Sequence, residues 1–322
     1  MLCILSPNND IYFNLAAEEY FLKNTNQNIC MLWHSLESVV VGKHQNAMAE
    51  VNYLWTLEHN IPVARRITGG GTVFHGPGNL NFTFIQSGES GKLVDFERFV
   101  RPVVDYIQSL GIPAEIGKRN DILVRNMKIS GNAEHVYKNR VLHHGTLLFE
   151  ADLDKLKNSL LVEKSKYLDK AVQSVSSRVT NINSFLNAEM TYSQFTSGLF
   201  VYLQQYFETP NTYELTIQEI AEIDALRNEK YYTMDWIYGY SPPFEYSNSF
   251  QWKTIPVKLT LKIIKGCIHH IQIESAENNE FWQKLEDLLQ GCAYRIPDVH
   301  ERLSQIIADK NDIRQLARSF FS

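Results

Sequence analysis

Three consecutive glycines follow a pair of arginines in the stretch RRITGGGTVFH, which runs from Arg65 to His75. Successive glycines leave backbone N–H groups unshielded, so an anion such as a polyphosphate can approach the main chain. The two guanidinium groups add fixed charge and forked donors that suit phosphate or carboxylate, and Thr68 adds a hydroxyl. No Gly-Lys-Ser/Thr follows, and strand formers instead of a helix come next, so neither a P-loop nor a dinucleotide fingerprint fits. The stretch predicts an anion-binding turn; a tight structural turn or bulge is the alternative.

A lysine lies in a β-forming stretch further along the chain. Lys128 belongs to MKISGN and directly precedes a predicted Ser-Gly-Asn turn. A lysine on a half-buried strand needs partners, and anionic ligands are suitable ones. Asp121, upstream of it, is a candidate ligand of the Mg²⁺ that accompanies ATP. The alternative is a surface hairpin, with Lys128 protecting an edge strand and Asp121 in its turn.

Two adjacent histidines, His143 and His144, occur in VLHHGTLLF. Successive side chains of a strand point to opposite faces, so at most one of the two can face a given pocket. We therefore expect one ligand-facing histidine and one structural or exposed histidine.

Composition narrows the class of protein. A net charge of −5 over 322 residues gives no support to a broad nucleic-acid interface. The four cysteines are scattered and form no CxxC pair, as is usual for reduced thiols in the cytoplasm. The start of the chain lacks the basic and apolar regions of a signal peptide, and no stretch is apolar enough to span a membrane. We expect a cytoplasmic protein, with no nucleic-acid or membrane partner, acting as a monomer.

Periodic patterns indicate the elements that must position these residues. Residues 14–23, 95–110, 191–208 and 217–229 are predicted to be helices, with Pro102 a possible interruption of the second. Residues 29–34, 38–42 and 80–86 and several segments between 114 and 151 are predicted to be strands. In residues 79–84, Leu80, Phe82 and Phe84 share one face and Asn79, Asn81 and Thr83 share the other. Strands and helices without a βα repeat predict an α+β fold with a mixed, mainly antiparallel sheet.

The carboxy-terminal part reads as a separate small α+β domain. SPPFEYSNSF, residues 241–250, has the composition of a linker. A hairpin centred on Lys265 and Gly266 and two helices, at about 278–290 and 297–308, are predicted after it. We therefore divide the chain into a catalytic domain, 1–246, and an accessory domain, 247–322.

The chemistry-bearing stretches together resemble the lipoate-protein ligase A family. The glycine-rich signature, RR followed by GGG and VFH, is present, and the family's later blocks follow in order as GKRND, KISGNA, HHGTLL and SVSSRVTNI. FNLAAEEYF resembles the family's amino-terminal helix, and GCAYR its small carboxy-terminal domain. This resemblance implies a biotin/lipoate-ligase-like catalytic domain with an accessory domain.

The resemblance also implies two half-reactions at one site. The lipoate carboxylate attacks the α-phosphate of ATP to give lipoyl-AMP and diphosphate. A lysine amine of a carrier then attacks the mixed anhydride and releases AMP. The carriers implied are lipoyl domains of 2-oxoacid dehydrogenase E2 subunits and the glycine-cleavage H protein, and Mg²⁺ is the implied cofactor.

Family likeness assigns roles to individual residues. Lys128 is the catalytic residue, contacting both the carboxyl oxygen of lipoate and the α-phosphate, and Asp121 is the candidate Mg²⁺ ligand. The implied ATP-binding residues are Arg66, Gly71, Thr72, Val73, Phe74 and Lys128. The implied lipoyl-adenylate pocket comprises Trp33, Thr68, Gly69, Gly70, His75, Asn79 and His144. The chain departs from the pattern at Gly76-Pro77, where an aspartate usually follows the histidine, and at Glu134-His135, where an arginine often occupies the second position.

Three other functions compete with this one. An acyltransferase of the same fold would need a pocket thiolate, and Cys30 is the only candidate near the chemistry-bearing stretches. A biotin ligase shares the adenylation chemistry but usually carries a Gly-Arg-Gly-Arg loop. A lipoate- or carrier-binding module without catalysis is the third, and the presence of Arg66, Gly69–Gly71 and Lys128 disfavours it.

Replacing Lys128 by alanine tests its assigned role. Lys128→Ala should abolish adenylate formation, because the fixed ammonium that offsets the charge of two reacting anions is lost. The fold should remain largely intact. Lipoate-dependent release of diphosphate measures the effect, and near-normal release by the variant would contradict the assignment.

Overall fold

A computed structural model describes residues 1–88, 94–277 and 279–322. Asn278, the first residue of the helix expected at 278–290, lies outside the described residues. Within those ranges, no helix combines the length and apolar character that crossing a membrane requires.

Helices and strands follow one another in a mixed order. The strands are β1 (Leu2–Leu5), β2 (Ile29–Trp33), β3 (Ser38–Val41), β4 (Val63–Arg65), β5 (Val73–His75), β6 (Asn79–Ser87), β7 (Ala114–Ile116), β8 (Ile122–Val124), β9 (Met127–Ser130), β10 (Asn132–Tyr137), β11 (Arg140–Leu148), β12 (Tyr167–Leu168), β13 (Phe244–Trp252), β14 (Ile255–Ile264) and β15 (Cys267–Ser275). The helices are α1 (Ile11–Asn24), α2 (Ala47–Glu50), α3 (Tyr53–Glu58), α4 (Phe96–Ser109), α5 (Leu153–Ser159), α6 (Tyr192–Tyr206), α7 (Ile217–Leu226), α8 (Asn279–Leu289), α9 (Ile296–Leu303) and α10 (Lys310–Ser319).

The chain forms two compact units, each made of separate stretches. The first comprises residues 1–43, 64–157 and 175–232, and the second comprises 44–63, 158–174 and 233–322. The second unit thus includes two short segments that precede its main stretch in the sequence. The linear division at 246/247 stays a prediction.

The main sheet of the first unit has the strand order β1-β2-β6-β11-β10. β1 and β2 are parallel, whereas the other neighbours are antiparallel. One face carries Leu80, Phe82 and Phe84 and packs on a core formed with α4 and α6. The alternation expected from residues 79–84 is confirmed, so the polar side chains of β6 lie on the other face.

Two further sheets of the first unit carry the chemistry-bearing stretches. The order β4-β3-β5 holds the glycine-rich segment, and the order β7-β8-β9 holds Lys128. The turn predicted at Ser-Gly-Asn is wrong. Gly131 instead lets an extended chain pass from β9 in one sheet to β10 in another, and its carbonyl accepts from Thr146 N at 3.1 Å.

Several helix boundaries differ from the predicted ones. α1 begins at Ile11 because the Asp10 side chain caps it, accepting from Phe13 N at 2.9 Å. Asn14, the expected cap, lies inside the helix and accepts from Ser6 Oγ at 2.6 Å. α4 continues through Pro102 without interruption. Its buried apolar face, including Val100 and Val103, compensates for the missing backbone donor.

The second unit is built on an antiparallel sheet with the order β12-β13-β14-β15. The linker predicted at 241–250 is wrong over most of its length, because the alternating residues Phe244 and Tyr246 enter the core and β13 pairs along β14. The hairpin centred on Lys265 and Gly266 is confirmed, and both have positive φ, 51° and 72°. α8, α9 and α10 complete this unit, and the sequence patterns did not predict α10.

The two adjacent histidines of β11 face opposite sides of the sheet, as expected. His143 lies on the core side, with its ring stacked on Phe99 at a centroid distance of 5.2 Å. Its Nδ1 lies 2.9 Å from Glu134 Oε1, and both side chains are buried. Burial raises the pKa of the Glu134 carboxyl to about 7, and burial also holds the pKa of His143 well below its usual range. Near neutral pH and below, a protonated Glu134 can therefore donate to a neutral His143.

Stability should depend on pH through Glu134. Its pKa is about 7 in the folded chain against an ordinary 4.5, so the folded chain binds an extra proton between these values. The resulting stabilisation is fully present below pH 4.5 and is lost as the pH rises through about 7. Glu134→Gln keeps a donor for His143 but cannot ionise. Urea unfolding at pH 5 and 8 should show the wild type losing roughly 1–3 kcal/mol relative to the variant as pH rises. Parallel pH profiles would contradict this.

Candidate active site

The glycine-rich loop joins β4 to β5 and is fastened to the end of β3. Arg66 N donates to Val41 O at 3.1 Å, and Lys43 N donates to Thr68 O at 2.8 Å. Gly70 has a φ of +88°, and a Cβ built there would lie 3.1 Å from Arg66 Nη2. Gly69, by contrast, has open space where a side chain would begin. Conformation therefore favours glycine at position 70, and the space beside Arg66 is tight for any side chain.

The buried guanidinium of Arg66 donates hydrogen bonds to this loop. Nη2 donates to Gly69 O and to Gly71 O, each at 2.7 Å, and Nη1 donates to Val40 O at 3.1 Å. Nε donates to Thr68 Oγ1 at 2.9 Å. Burial lowers the pKa of Arg66 to about 10, with the charge of Glu18 acting in the opposite direction. Arg66 therefore remains cationic at neutral pH, and its side chain fixes the carbonyls of the loop.

Lys128 lies half-buried on β9, as the sequence predicts. Its backbone pairs with a separate segment: Lys128 N donates to Arg178 O at 2.9 Å, and Thr180 N donates to Lys128 O at 3.0 Å. A Cβ built at Gly131 would lie 3.3 Å from Lys128 Nζ, so the ammonium group rests over the bare backbone of that glycine. Burial lowers the pKa of Lys128, while Asp121 favours its charged form. Arg66 is close enough to disfavour it.

Asp121 closes a tight turn that begins at Gly117. Gly117 N donates to Asp121 O at 2.8 Å, and Asn120, between them, has a φ of +60°. No group of three or more His, Cys, Asp or Glu side chains among the described residues could hold a metal. Asp121 can therefore supply one carboxylate near Lys128, and further ligands would have to come from a bound substrate or water.

Three of the expected pocket residues, Trp33, Asn79 and His144, lie on strands of the main sheet, and His75 of β5 lies beside Trp33. The ring of Trp33 on β2 lies 5.5 Å from that of His75. Burial, and then the charges of Arg66 and His144, lower the pKa of His75 to about 3, so its imidazole is neutral. Among the described residues, His75 Nδ1 and Asn79 Oδ1 are buried without a hydrogen-bond partner. Atoms of this kind suit a bound polar ligand.

His144 is the histidine that faces this side of the sheet. Its Nε2 lies 2.8 Å from Thr68 Oγ1, and its Nδ1 lies 2.9 Å from Glu18 Oε1. Glu18 on α1 and Thr83 on β6 were not predicted as site residues. The two acids within the otherwise mostly apolar FNLAAEEYF are the signal that could have identified Glu18, because a helix that is buried on nearly every side carries its acids into the interior.

Hydrogen bonds connect some of the predicted site residues, whereas others are related to them only through charge or as neighbours along the chain. One hydrogen-bonded network contains Arg66, Thr68, Gly69, Gly71 and His144. Lys128 and Asp121 are linked to it through charge. Thr72, Val73 and Phe74 lead the loop into β5, and Asn79 begins β6.

The departure at Gly76-Pro77 has a local structural role. Asn79 N donates to Gly76 O at 3.0 Å, which closes the turn between β5 and β6. A Cβ at Gly76 would lie 3.2 Å from the Phe74 ring. Glycine therefore lets the turn pack against Phe74, in place of the aspartate that is usual in the family.

Cys30 lies in the core and not in the pocket. It is fully buried on β2, directly opposite Cys3 on β1, within the apolar cluster of the first unit. A hydrogen bond with Cys3, together with burial, raises its pKa well above the usual range. A nucleophilic thiolate needs a lowered pKa and an accessible position, so the structure argues against a thioester route through Cys30.

Comparison with known proteins agrees with this geometry. Residues 10–204 match the lipoyl protein ligase A/B catalytic domain, and residues 241–319 match the bacterial lipoate protein ligase C-terminus. Lipoate–protein ligase 1 of Staphylococcus aureus is 38% identical over 312 residues, which span 94% of this chain and 93% of that protein.

Solved structures show the same similarity. A lipoate-protein ligase A bound with ATP matches with a TM-score of 0.63 and 25% identity, over 74% of this chain and 100% of that one. A bipartite lipoate protein ligase of Thermoplasma acidophilum, analysed with its E2 lipoyl domain, matches with a TM-score of 0.62 and 25% identity, over 74% and 96%. The α+β fold is that of lipoate-protein ligases, and the predicted fold class is confirmed. The chain belongs to the lipoyl protein ligase A/B family.

The space above Gly131 gives a test of how Lys128 is placed. Gly131→Ala would put a methyl group 3.3 Å from Nζ and Cε of Lys128, so the flexible ammonium group must move. A small displacement of a catalytic group is costly, and we expect lipoate-dependent ATP–diphosphate exchange to fall roughly ten- to a hundredfold. Thermal unfolding should change little, because the contact is with the end of a flexible side chain. Unchanged exchange would show that Gly131 does not set the position of Lys128.

Proposed function

We propose that this chain activates lipoate with ATP and transfers the lipoyl group to a lysine of a carrier domain. The proposal rests mainly on the glycine loop and two cations beside it. The buried Arg66 donates hydrogen bonds to the loop carbonyls. Lys128 is half-buried and lies close enough to Arg66 for the two charges to interact. This arrangement offers positive charge and bare backbone where two anions must meet. The chemical steps proposed below are those of the lipoyl protein ligase family, to which the chain belongs.

The first half-reaction joins the lipoate carboxylate to the α-phosphorus of ATP. A carboxylate oxygen forms the new P–O bond as the bond to the bridging oxygen breaks, and diphosphate leaves with that electron pair. The repulsion between the two anions is the main obstacle, and fixed cations reduce it. Lys128 is proposed to contact both reacting groups. The backbone from Gly71 to Phe74, held in shape by Arg66, is proposed to bind the nucleotide.

The Mg²⁺ that accompanies ATP would require little from the protein. This ion commonly keeps several waters and takes one or two carboxylates together with substrate phosphates. The single carboxylate of Asp121, near Lys128, fits that pattern. When bound, Mg²⁺ would offset charge on the phosphate oxygens. Asp121 would hold the ion, and the turn from Gly117 would hold Asp121.

The lipoyl chain is proposed to lie on the polar face of the main sheet. Trp33 and His75 provide ring surfaces there, and His75 is neutral. Thr68, Gly69, Gly70, Asn79 and His144 complete the proposed pocket. An apolar acyl chain with a carboxylate at one end suits a site of rings with polar groups at its mouth.

In the second half-reaction, a carrier lysine attacks the carbonyl carbon of lipoyl-AMP. The amine forms the C–N bond, AMP leaves with the electron pair of the anhydride bond, and the amine loses a proton. Negative charge develops on the carbonyl oxygen, which Lys128 can stabilise. The carriers proposed are E2 lipoyl domains and the glycine-cleavage H protein. The archaeal relative analysed with its E2 lipoyl domain supports the first of these.

A reconstituted reaction tests the whole proposal. Purified chain, lipoate, ATP and Mg²⁺ should form AMP when an apo E2 lipoyl domain or apo H protein is added. Mass spectrometry should show one lipoyl group on the acceptor lysine. Matched carriers with that lysine replaced by arginine should remain unmodified. If neither AMP nor acylated carrier forms, the proposed function is wrong.

A further inference from the structure

Glu18 is a buried acid that the predicted chemistry does not use. It lies in the middle of α1 with 0% exposure, and its side chain reaches the polar face of the main sheet. A buried carboxylate is costly unless hydrogen bonds and a counter-charge compensate. Its neighbours therefore indicate what it does.

One side of Glu18 is connected to the proposed lipoyl pocket. Trp33 Nε1 donates to Thr83 Oγ1 at 2.9 Å, and Thr83 Oγ1 donates to Glu18 Oε1 at 2.6 Å. Thr83 has a single hydroxyl proton, so accepting from Trp33 leaves that proton for Glu18. The indole of Trp33 is thereby fixed through Thr83.

The other side of Glu18 leads to the glycine loop. His144 Nδ1 lies 2.9 Å and 3.0 Å from the two carboxylate oxygens of Glu18. His144 Nε2 lies 2.8 Å from Thr68 Oγ1, which also accepts from Arg66 Nε at 2.9 Å. Arg66 in turn holds the carbonyls of Gly69 and Gly71. A continuous chain of hydrogen bonds thus runs from α1 to the loop.

With His144 neutral, the donors in this chain have one consistent order. A carboxylate can only accept, so the proton of a neutral His144 must be on Nδ1. Nε2 is then an acceptor and takes the hydroxyl proton of Thr68. That leaves the Thr68 oxygen to accept from Arg66. The carboxylate of Glu18 therefore sets the tautomer of His144 and the orientation of Thr68.

Charge gives Glu18 a second effect on the same loop. Arg66 is buried, and Glu18 is the anion that favours its charged form against burial. Removing the negative charge would leave the guanidinium with less compensation in a site of low polarity. Glu18 therefore affects Arg66 in two ways, through the chain of hydrogen bonds and through its charge.

We propose that Glu18 is a positioning residue for adenylation, holding Arg66 and the glycine loop in their ATP-binding arrangement through His144 and Thr68. The inference rests on the proposed function. Glu18 acts through other residues and need not contact ATP. Its effect should therefore be seen in the use of ATP and in the tautomer of His144.

Glu18→Gln is the informative substitution because it keeps the volume of the side chain and removes the charge. Its amide oxygen can take the place of Oε1 and accept from Thr83 and His144. The second carboxylate contact with His144 Nδ1 and the charge that favours the cationic form of Arg66 are lost. We expect kcat/KM for ATP in lipoate-dependent exchange to fall roughly 10- to 100-fold. Exchange within about twofold of wild type by a folded variant would overturn the proposal.

Glu19 offers a matched control on the same helix. It is also a buried acid, but it bonds to Lys23, Lys230 and Tyr231, at 2.5–2.6 Å, and not to the site. Glu19→Gln should lower thermal stability to a similar extent while leaving exchange near the wild-type rate. An equal loss of exchange in both variants would show a general effect of destabilising α1 and would contradict the proposal.

The tautomer of His144 gives a readout that does not depend on activity. In histidine-selective ¹⁵N NMR, assigned with a His144→Gln spectrum, the wild type should show the Nδ1–H form. A doubly protonated ring would contradict the donor order. An Nε2–H form in the wild type would overturn the relay, and this result can be obtained even if Glu18→Gln fails to fold. Absence of lipoate-dependent exchange in the wild type would instead refute the proposed function, with the tautomer still testing Glu18.

Discussion

The site depends on placing a charged arginine inside the protein. A guanidinium group removed from water must direct its N–H groups to acceptors, or its burial becomes prohibitive. Arg66 meets this need with the carbonyls of Val40, Gly69 and Gly71 and the hydroxyl of Thr68. The shape of the glycine loop follows from that requirement. Because the carbonyls of Gly69 and Gly71 are committed to the protein, the N–H groups of the loop are its natural contribution to an anion.

The main sheet separates the polar side chains of the site from the apolar core. Alternation along β6 sends Phe82 and Phe84 to the core and Thr83 to the site, and alternation along β11 does the same for His143 and His144. Both histidines meet an acid, but with different consequences. On the core side Glu134 has a raised pKa and pairs with a neutral imidazole. On the site side Glu18 belongs to a chain of hydrogen bonds that ends at the loop.

The position of Lys128 depends on its own strand, on the glycine that follows that strand and on a segment that is distant in sequence. β9 carries it, Gly131 leaves room for its ammonium group, and the stretch from Arg178 to Thr180 pairs with its backbone. Partial burial lowers the pKa of Lys128 while Asp121 favours the charged form. The result is a cation on a fixed strand, close enough to Arg66 for the two charges to interact.

Sequence alone determined the alternating faces of β6, the opposite directions of His143 and His144, the lysine strand and the family. These follow from local periodicity, from residue types and from ordered blocks, none of which needs the folded chain. The start of α1 and the strand at Phe244–Trp252 were misassigned, because a local cap or a polar composition competes with packing that is set elsewhere. Only the tertiary structure identified Glu18 as a partner of His144. That contact joins residues 126 positions apart, and no local pattern encodes which acid of a helix will face a particular histidine of a sheet.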